Sequence, residues 1–497
     1  MENKSEASSY SHILKYTSIF GGMQGLNILI GIIRTKLVAL ILGPVGMGLV
    51  SLFNSTISFI SSGTNLGLPN SSVKTLSEIY EQGDEEQLRH KIRLIRSLSF
   101  FVSLSGVIVC ILLSSTLDMF TFSWGSHSLH FALLSPIVGM MAIIGGEMAI
   151  LKSVRKLKSV AVISTINMVA ALIISVPIYY IFGQSGIIPA LTLMTLFQLL
   201  ITIHCTRKLF PFEISFKRNI FCEGKEMIHL GLAFLVSGLF TTGADFVIRS
   251  YLSKFANLET LGFFNAGFML TTTYAGMVFV ALETDYFPRL SGVNKDVIAR
   301  NLMVNRQIEV TFLLIAPMLL AFMIFMPLAI LLLYSSSFIS AVSMAQIIIL
   351  ALYLRSIKLP IAYLTLAKAD SKAFMLLEGY SAILMVTAVI IGYQNMGLDG
   401  AGWGLVITGL VDLIVIYLFA HFRYHYVITS QVIRYVVYQL PLAILAFIST
   451  RLFIGTTYWV IGIILTIVSL GVSIFILHKK TSLWNKLISR WKSKVSY

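Results

Sequence analysis

Charged residues are scarce in this chain of 497 residues, because Asp, Glu, Lys and Arg together make up only 12% of it. Soluble globular proteins carry about 25% charged residues. Hydrophobic residues make up 57%, and apolar runs of roughly 18 residues or more recur along the whole length. The composition therefore excludes a soluble protein with one large core and predicts a helical integral membrane protein.

Strand patterns, metal-ligand clusters and nucleotide-binding loops are also missing from the sequence. The alternating polarity of a membrane β-barrel is absent. The one Gly-Lys pair, Gly224-Lys225, is followed by Glu226, so the chain contains no P-loop. The spacing of the three cysteines suits neither a metal site nor a disulfide framework; they are Cys110, Cys205 and Cys222. We therefore expect no metal, no cofactor and no nucleotide hydrolysis.

The apolar runs predict an all-α polytopic membrane protein with about 14 transmembrane helices. Residues 1–12 are polar and no signal-peptide cleavage pattern follows them, so we expect the first apolar segment to be retained. The predicted spans are 13–42, 46–69, 97–117, 129–151, 159–182, 187–206, 227–252, 260–288, 307–333, 339–366, 373–394, 400–421, 435–454 and 458–477.

Lysine and arginine are distributed asymmetrically between the turns, which gives the expected orientation. With the N-terminus inside, the even-numbered turns are cytoplasmic and carry most of the cations. Four opposite turns carry none; they are 118–128, 183–186, 334–338 and 395–399. This pattern predicts that both termini are cytoplasmic. It also explains most of the net charge of +15 without a nucleic-acid partner.

The two halves of the chain share a layout. Each opens with a long helix that contains an arginine, and Gly48 or Gly262 then begins the second helix. Six spans per half predict two parallel six-helix lobes around a central cavity. The expected domains are an N-lobe at 1–206, a cytoplasmic linker at 207–226, a C-lobe at 227–422, two extra helices at 423–478 and an amphipathic basic tail at 479–497.

Two arginines lie deep in apolar helices, where a charge normally faces a wet cavity or a partner. Arg34 and Arg249 occupy corresponding positions in the two lobes, so a two-lobed bundle can bring both toward one cavity. Their guanidinium groups would bind phosphate, because arginine presents a planar, permanently charged fork. For Arg249 the alternative is a structural ion pair with Asp245, one helical turn earlier. Asp245 can also carry a coupling ion, but structural pairing is favoured.

Further charged residues inside the spans are weaker candidates. Asp412 lies near the middle of the twelfth span, where a carboxylate carries a coupling proton or cation, or hydrogen-bonds a neighbouring helix. Arg355 and Lys358 form a candidate inward-facing pair in the tenth span. Glu147 and Glu283 lie toward cytoplasmic helix ends, where pairing with nearby cations is favoured over a place in a cavity.

The stretch KLVALILGPVGMGLVSLFNSTISFISSGTNLGL (36–68), followed by a charged helix, resembles the opening of the Wzx-type O-antigen flippases. These belong to the multidrug/oligosaccharidyl-lipid/polysaccharide (MOP) exporter superfamily. The G-P-x-G-x-G-L turn and its echo TLGFFNAGFML (260–270) carry the resemblance, which covers about residues 10–425. Family members typically have twelve spans, so the extra helices depart from the common pattern.

The resemblance implies a transporter in the bacterial inner membrane. It would move an undecaprenyl-pyrophosphate-linked oligosaccharide to the periplasmic leaflet by alternating access, in the biosynthesis of O-antigen or a related surface polysaccharide. By position, Arg34 and Arg249 would match the cations that receive the pyrophosphate, and Asp245 and Asp412 would be candidate carriers of a coupling proton or cation. The implied partners are the lipid-linked glycan, membrane lipids and the glycan polymerase machinery.

Two other functions stay open on the sequence alone. A multidrug or cation exporter of the same superfamily would need acidic and aromatic residues in its cavity, whereas this chain offers arginines. A membrane-bound glycan polymerase or ligase would be an enzyme, and such enzymes usually carry a large periplasmic loop. The longest outer loop predicted here has about a dozen residues.

Overall fold

The computed structural model describes the backbone of residues 2–214 and 223–480. Side chains are described in the same ranges except at 2–22, 24, 233, 274, 277, 280–285 and 480. The middle of the predicted linker and the predicted amphipathic tail from residue 481 onward therefore lie outside the described residues. Every regular element in the described ranges is helical, as expected where a chain must satisfy its own backbone groups in lipid. The prediction of an all-α protein is confirmed.

In chain order the α-helices of these ranges are α1 (Glu2–Thr64), α2 (Leu68–Gln82), α3 (Glu85–Thr121), α4 (Ser128–Ala132), α5 (Ser135–Ser153), α6 (Leu157–Phe182), α7 (Ile187–Arg207), α8 (Lys225–Phe255), α9 (Leu258–Phe268), α10 (Met277–Gly292), α11 (Val297–Ile324), α12 (Met326–Leu333), α13 (Ala341–Ala367), α14 (Ser371–Tyr424), α15 (Ser430–Leu452) and α16 (Thr456–Lys480). Short 3₁₀ turns lie at Gly183–Gly186 and Ser336–Phe338.

Three apolar stretches are much longer than one membrane crossing, and a glycine breaks each of them. They have 40 residues in α1, 51 across α6 and α7, and 54 in α14, whereas about 20 helical residues span the hydrocarbon core. The breaks lie at Gly43, Gly183 and Gly397, whose φ angles are 62°, 57° and 58°. Their ψ angles of −171°, −133° and −140° complete a backbone conformation that favours glycine strongly.

The described part of the chain contains nine helices that are long and apolar enough to cross a membrane, and a bent pair at 225–255 adds a tenth. The chain is therefore a multi-pass membrane protein. Because each of the three glycine-broken stretches is long enough for two crossings, the helices can accommodate the predicted spans. The number fourteen itself stays a prediction.

The predicted eighth span, 260–288, is not one continuous α-helix. Helix α9 passes into a π-helical turn at Met269–Ala275 before α10 begins. Hydroxyl groups of this turn bond back to carbonyls one turn earlier, with Thr271 Oγ1 donating to Gly267 O at 2.8 Å. Bonds of this kind satisfy a hydroxyl group within an apolar helix.

The first of two compact units runs from Met1 to Phe263 and includes Leu332–Ser337. Its core lies where α2, α3 and α5 pack together. The side chains fully buried there include Leu76, Ile95, Leu98 and Ile150. Helix α8 packs against α1 and α2 inside this unit, although its sequence belongs to the predicted C-lobe. At that contact, a Cβ on either Gly67 or Gly231 would collide with backbone of the other segment. The predicted division into lobes at 207–226 stays a prediction.

The second unit comprises Phe264–Leu331 and Phe338–Tyr497. Helices α11 and α13 form its core, where Tyr353 Oη donates to Ala316 O at 2.7 Å. The two predicted extra helices correspond to α15 and α16, which pack against each other and against α11. The hydroxyl of Tyr458 fixes α16 by donating to a carbonyl at the end of α11, at 2.6 Å.

Candidate functional site

Arg34 reaches from the first half of α1 to helices α6 and α7. Its Nε donates to Ser175 Oγ at 3.0 Å, and an Nη2 hydrogen points to the thioether sulfur of Met194 at 3.6 Å. The buried hydroxyl of Tyr179 lies close to the guanidinium as well. A thioether is a weak acceptor. Among the described residues no carboxylate forms an ion pair with Arg34, so its charge is not neutralised there.

A cavity of about 400 Å³ opens in front of this guanidinium. We call it the Arg34 cavity. Side chains of α1, α5, α6 and α7 line it, and the polar ones are Arg34, Asn54, Ser164, Asn167, Thr195 and Gln198. No acidic side chain is among its described lining residues. A site with one permanent cation and several amide or hydroxyl groups suits an anion that carries further polar groups.

Arg249 forms an ion pair with Asp245 in this structure. This is the structural alternative that the helical spacing of the two residues offers. Its Nε lies 2.9 Å from Asp245 Oδ1 and 2.8 Å from Oδ2, so both carboxylate oxygens are engaged. A terminal nitrogen donates to Ser51 Oγ of α1. Only 8% of the Arg249 side chain is exposed, against 37% of the Asp245 side chain. The carboxylate is therefore the accessible half of the pair.

The two arginines have different surroundings. Arg34 contacts α6 and α7, whereas Arg249 contacts its own helix and the second half of α1. Of the two, Arg34 is the one that lines the cavity described above. The expectation that both guanidinium groups face one central cavity is not tested by these contacts and stays a prediction.

Asp412 lies in a cluster of charged and polar groups in the second unit. It is 2% exposed, and its Oδ2 accepts hydrogen bonds from Lys358 Nζ and Ser381 Oγ, each at 2.6 Å. Its Oδ1 has no partner among the described residues. Glu378, one turn from Ser381, interacts electrostatically with Lys358 and Asp412. The structure thus joins two sequence-predicted residues, Lys358 and Asp412, which lie on α13 and α14.

Arg355, the predicted companion of Lys358, has a different partner. Its guanidinium carbon lies 5.3 Å from the ring centre of Phe279 on α10, within the range of a cation–π contact. The two neighbouring cations of α13 are therefore used differently: Lys358 is paired with a carboxylate, and Arg355 lies over an aromatic ring.

Glu147 forms a buried ion pair with Arg96 of α3. Arg96 Nε donates to Oε1 at 2.7 Å and Nη2 donates to Oε2 at 3.1 Å, with both side chains at most 2% exposed. Arg96 also donates to the carbonyl of Pro211 at the start of the predicted linker. This geometry matches the structural alternative for Glu147. The side chain of Glu283 lies outside the described residues.

Sequence inspection missed a second cavity, of about 390 Å³, which adjoins the Arg34 cavity and shares Met141 and Gln198 with it. We call it the serine cavity, because Ser58, Ser61 and Ser62 of α1 line it, together with Asn65 just after the helix ends. A signal for it exists in the sequence. These four residues follow the spacing i, i+3, i+4 and i+7, which places polar groups on one face of an apolar helix.

A larger cavity, of about 1020 Å³, lies in the second unit between the first turns of α11 and the segment 427–431. Arg306 and Glu309 contribute charges of both signs to its lining. It contains none of the candidate residues that the sequence predicts. We therefore centre the candidate site on Arg34.

Solved structures with the same fold are transporters. An inward-facing multidrug-resistance MATE family transporter of the MOP superfamily aligns with a TM-score of 0.66 at 17% identity, over 80% of this chain and 94% of that chain. The lipid II flippase MurJ, in an inward closed conformation, aligns with a TM-score of 0.74 at 15% identity, over 93% and 99%. A MOP superfamily transporter from Pyrococcus furiosus aligns with a TM-score of 0.57 at 17% identity, over 82% and 93%. The chain has the fold of these MOP-superfamily transporters, which is the fold that the resemblance seen in the sequence implies.

The sequence also identifies the family. The family described as "Polysaccharide biosynthesis protein" matches residues 13–293, which is more than half of the chain. The chain belongs to this family. The match includes Arg34, both cavities of the first unit and the pair Asp245–Arg249. No curated protein matches the chain in sequence.

Proposed function

We propose that this protein is a flippase for undecaprenyl-pyrophosphate-linked oligosaccharides. It would carry the repeat unit of an O-antigen or a related surface glycan from the cytoplasmic to the periplasmic leaflet of a bacterial inner membrane. Both termini would be cytoplasmic, as the distribution of lysine and arginine predicts. The glycan polymerase machinery would consume the product on the outer side.

The observation that carries this proposal is that Arg34 lines a cavity and forms no ion pair with a described carboxylate. Its described partners, namely Ser175, Met194 and the nearby hydroxyl of Tyr179, are neutral. A pyrophosphate oxygen can displace the weak thioether contact and gain a charge-assisted hydrogen bond. Ser175 is fully buried and donates in turn to Ala171 O, so it fixes the guanidinium orientation while substrate binds.

Fold and family support a lipid-linked glycan over a drug as the substrate. The family is one of polysaccharide biosynthesis. The structure of the lipid II flippase MurJ aligns with 93% of this chain, whereas the multidrug transporter aligns with 80%. An exporter of cationic drugs would also require acid in its cavity, and the described lining of the Arg34 cavity is cationic. Transport rather than enzymatic chemistry accounts for these features.

Arg249 and Asp245 take a secondary part in this proposal. Since Arg249 already pairs with Asp245 and contacts Ser51, phosphate binding there requires the carboxylate to give way. Protonation of Asp245, which is the more exposed partner, would release the guanidinium. Arg249 would therefore bind phosphate only while Asp245 is protonated.

Ion coupling is assigned to the cluster around Asp412. Protonation of its carboxylate would remove the charge attraction between Asp412 on α14 and Lys358 on α13. Glu378 provides a second carboxylate for the same lysine. A proton can thus change the packing of two helices, which is what a coupled transporter requires.

The test is mass spectrometry of lipid-linked glycans from cells that lack the gene and any redundant flippase. We expect undecaprenyl-pyrophosphate oligosaccharide to accumulate and to be cleared by the wild-type gene but not by Arg34→Ala. Arg89→Ala is the matched control, because Arg89 is an exposed arginine of the predicted cytoplasmic surface. Absence of any accumulation would contradict the flippase and favour the exporter. Clearance by Arg34→Ala would retain the function and reject the site.

A further inference from the structure

We infer that the serine cavity binds the sugar residues next to the pyrophosphate and that it selects uncharged sugars. This inference rests on the proposed function, and it concerns a part of the site that Arg34 does not reach. The Arg34 cavity and the serine cavity share Met141 and Gln198. One ligand can therefore occupy both, with its charged group in the first cavity and its neutral part in the second.

The position of the serine cavity fits this arrangement. It includes Asn65 and Pro69, at the end of α1 and the start of α2 that the charge asymmetry places in the cytoplasm. Arg34 lies on the part of α1 that approaches the predicted outer turn. A glycan entering from the cytoplasm would then extend from the pyrophosphate toward the side on which it was assembled.

The lining of the serine cavity has the chemistry of a neutral sugar site. Hydroxyl groups come from α1, Asn65 adds an amide just after that helix, and α7 and α8 add Gln198 and Thr242. Its described lining contains no lysine, arginine, aspartate or glutamate. Hydroxyl and carboxamide groups both donate and accept hydrogen bonds, as sugar hydroxyls do. The cavities, about 390 and 400 Å³, each fall within the roughly 300–1000 Å³ of small-molecule sites.

The hydrogen bonds within α1 show which of its hydroxyls are available. Ser55 and Thr56 each donate to Leu52 O at 2.9 Å, the usual way in which an apolar helix satisfies a hydroxyl. The hydroxyls of Ser58, Ser61 and Ser62, just beyond them, form no such bond with any described residue. The same holds for the carboxamide of Gln198 on α7. These unused donors and acceptors line the cavity.

The lack of charge makes the cavity selective. A uronic acid would place a carboxylate where no described cation can pair with it, and a buried unpaired charge is costly. A neutral hexose meets only groups that match its hydroxyls. We therefore expect the protein to bind glycans whose first sugars are uncharged, and to discriminate against acidic ones by tenfold or more.

The experiment measures binding of the purified full-length protein in nanodiscs to three lipids. They are bare undecaprenyl pyrophosphate, the same lipid with a neutral trisaccharide, and the same lipid with a uronic acid as first sugar. The variants are Ser58→Ala and the double change Ser61→Ala with Ser62→Ala, at residues that line the serine cavity and not the Arg34 cavity. Ser55→Ala is the matched control, because its hydroxyl is bonded within the helix and does not line the cavity.

We expect both cavity variants to weaken binding of the neutral glycolipid by roughly tenfold, to leave bare undecaprenyl pyrophosphate unchanged, and to differ from Ser55→Ala. Unchanged binding of the bare lipid also shows that the variants are folded. Equal weakening for bare and glycosylated lipids, or none for either, would overturn the inference. So would equal affinity of the wild type for neutral and acidic glycolipids. If the wild type binds none of the three lipids, the proposed function itself fails.

Discussion

Gly48 and Gly262 lie at a contact between α1 and α9 in which neither residue has room for a side chain. A Cβ on Gly48 would stand 3.2 Å from the backbone nitrogen of Gly262 and would collide with Leu258 O. A Cβ on Gly262 would collide with Pro44 O. The two glycines that begin corresponding helices in the sequence thus meet in space. Backbones approach this closely in membrane proteins because small residues allow it.

Replacing Gly48 by alanine should separate these two helices. We expect a loss of about 1–3 kcal/mol in stability, the usual cost of overpacking, measured as a lower unfolding temperature in detergent. Gly25→Ala is the matched control, since Gly25 lies in the same helix and a Cβ added there would meet nothing within 4 Å. Equal stability of Gly48→Ala and Gly25→Ala would contradict the close contact.

A substitution at Gly43 tests the backbone conformation of the turn rather than the packing between helices. Its φ of 62° and ψ of −171° disfavour any other residue, although a Cβ there would meet nothing within 4 Å. Gly43→Ala should therefore cost about 1–3 kcal/mol through backbone strain alone. Thermal unfolding measures this cost, with Gly471→Ala as the control at an equally open helical position. If the two variants have the same stability, the turn is not built as described.

The pair Arg96–Glu147 should be structural and strongly coupled. Removal of either side chain leaves a buried charge without its partner, so Arg96→Ala and Glu147→Ala should each cost about 3–5 kcal/mol. The double variant should cost much less than the sum of the two. The exposed pair Arg155–Glu81, with side chains 69% and 63% exposed, is the control and should contribute at most about 1 kcal/mol. Additive effects at Arg96 and Glu147 would contradict the pairing.

The turn before α4, which the lysine and arginine distribution predicts to be an outer turn, should respond to pH through His127. This ring stacks on Phe122 at 4.2 Å and meets Trp124 edge-on at 4.5 Å. Burial, and next the charge of His130, lower the pKa of His127 below its usual 6.5, while Asp118 opposes them. The folded turn therefore favours the neutral ring. Its contribution to stability is complete above about pH 6.5 and is lost as the pH falls toward the lowered pKa.

Fluorescence of Trp124, in a variant with the other four tryptophans replaced by phenylalanine, follows this titration. We expect quenching as the ring protonates, with a midpoint below pH 6.5. His127→Gln should abolish the transition. A midpoint at or above pH 6.5, or an unchanged titration in His127→Gln, would reject the assignment.

The helical fold could be predicted from the sequence because a chain in lipid must satisfy its own backbone hydrogen bonds, and an apolar run without alternating polarity does so as a helix. The break at Gly43 was predictable for the same reason, since a Gly-Pro pair interrupts an apolar run that is too long for one crossing. The π-helical turn at Met269–Ala275 was not, because it lies within an apolar pattern that predicts a regular α-helix. The first unit also includes α8, which a repeat-based division assigns elsewhere.

The candidate site was partly predictable. Arg34 was conspicuous as a charge in apolar sequence, and the pair Asp245–Arg249 followed from helical spacing. Pairs such as Lys358–Asp412 join residues on different helices, and spacing carries no information about such contacts. The polar residues of the serine cavity were not singled out from the sequence, because serine is tolerated in membrane helices and is informative only when the helix face it occupies is known.

The central claim is that Arg34 binds the pyrophosphate, and the most direct test is affinity. We would measure binding of undecaprenyl pyrophosphate to the wild type, Arg34→Ala and the control Arg89→Ala in nanodiscs. A hydrogen bond to a charged group contributes about 1.5–3 kcal/mol, which corresponds to roughly 10–150-fold in affinity. The account predicts a loss of that size for Arg34→Ala and none for Arg89→Ala. Equal affinity of Arg34→Ala and the wild type would contradict it.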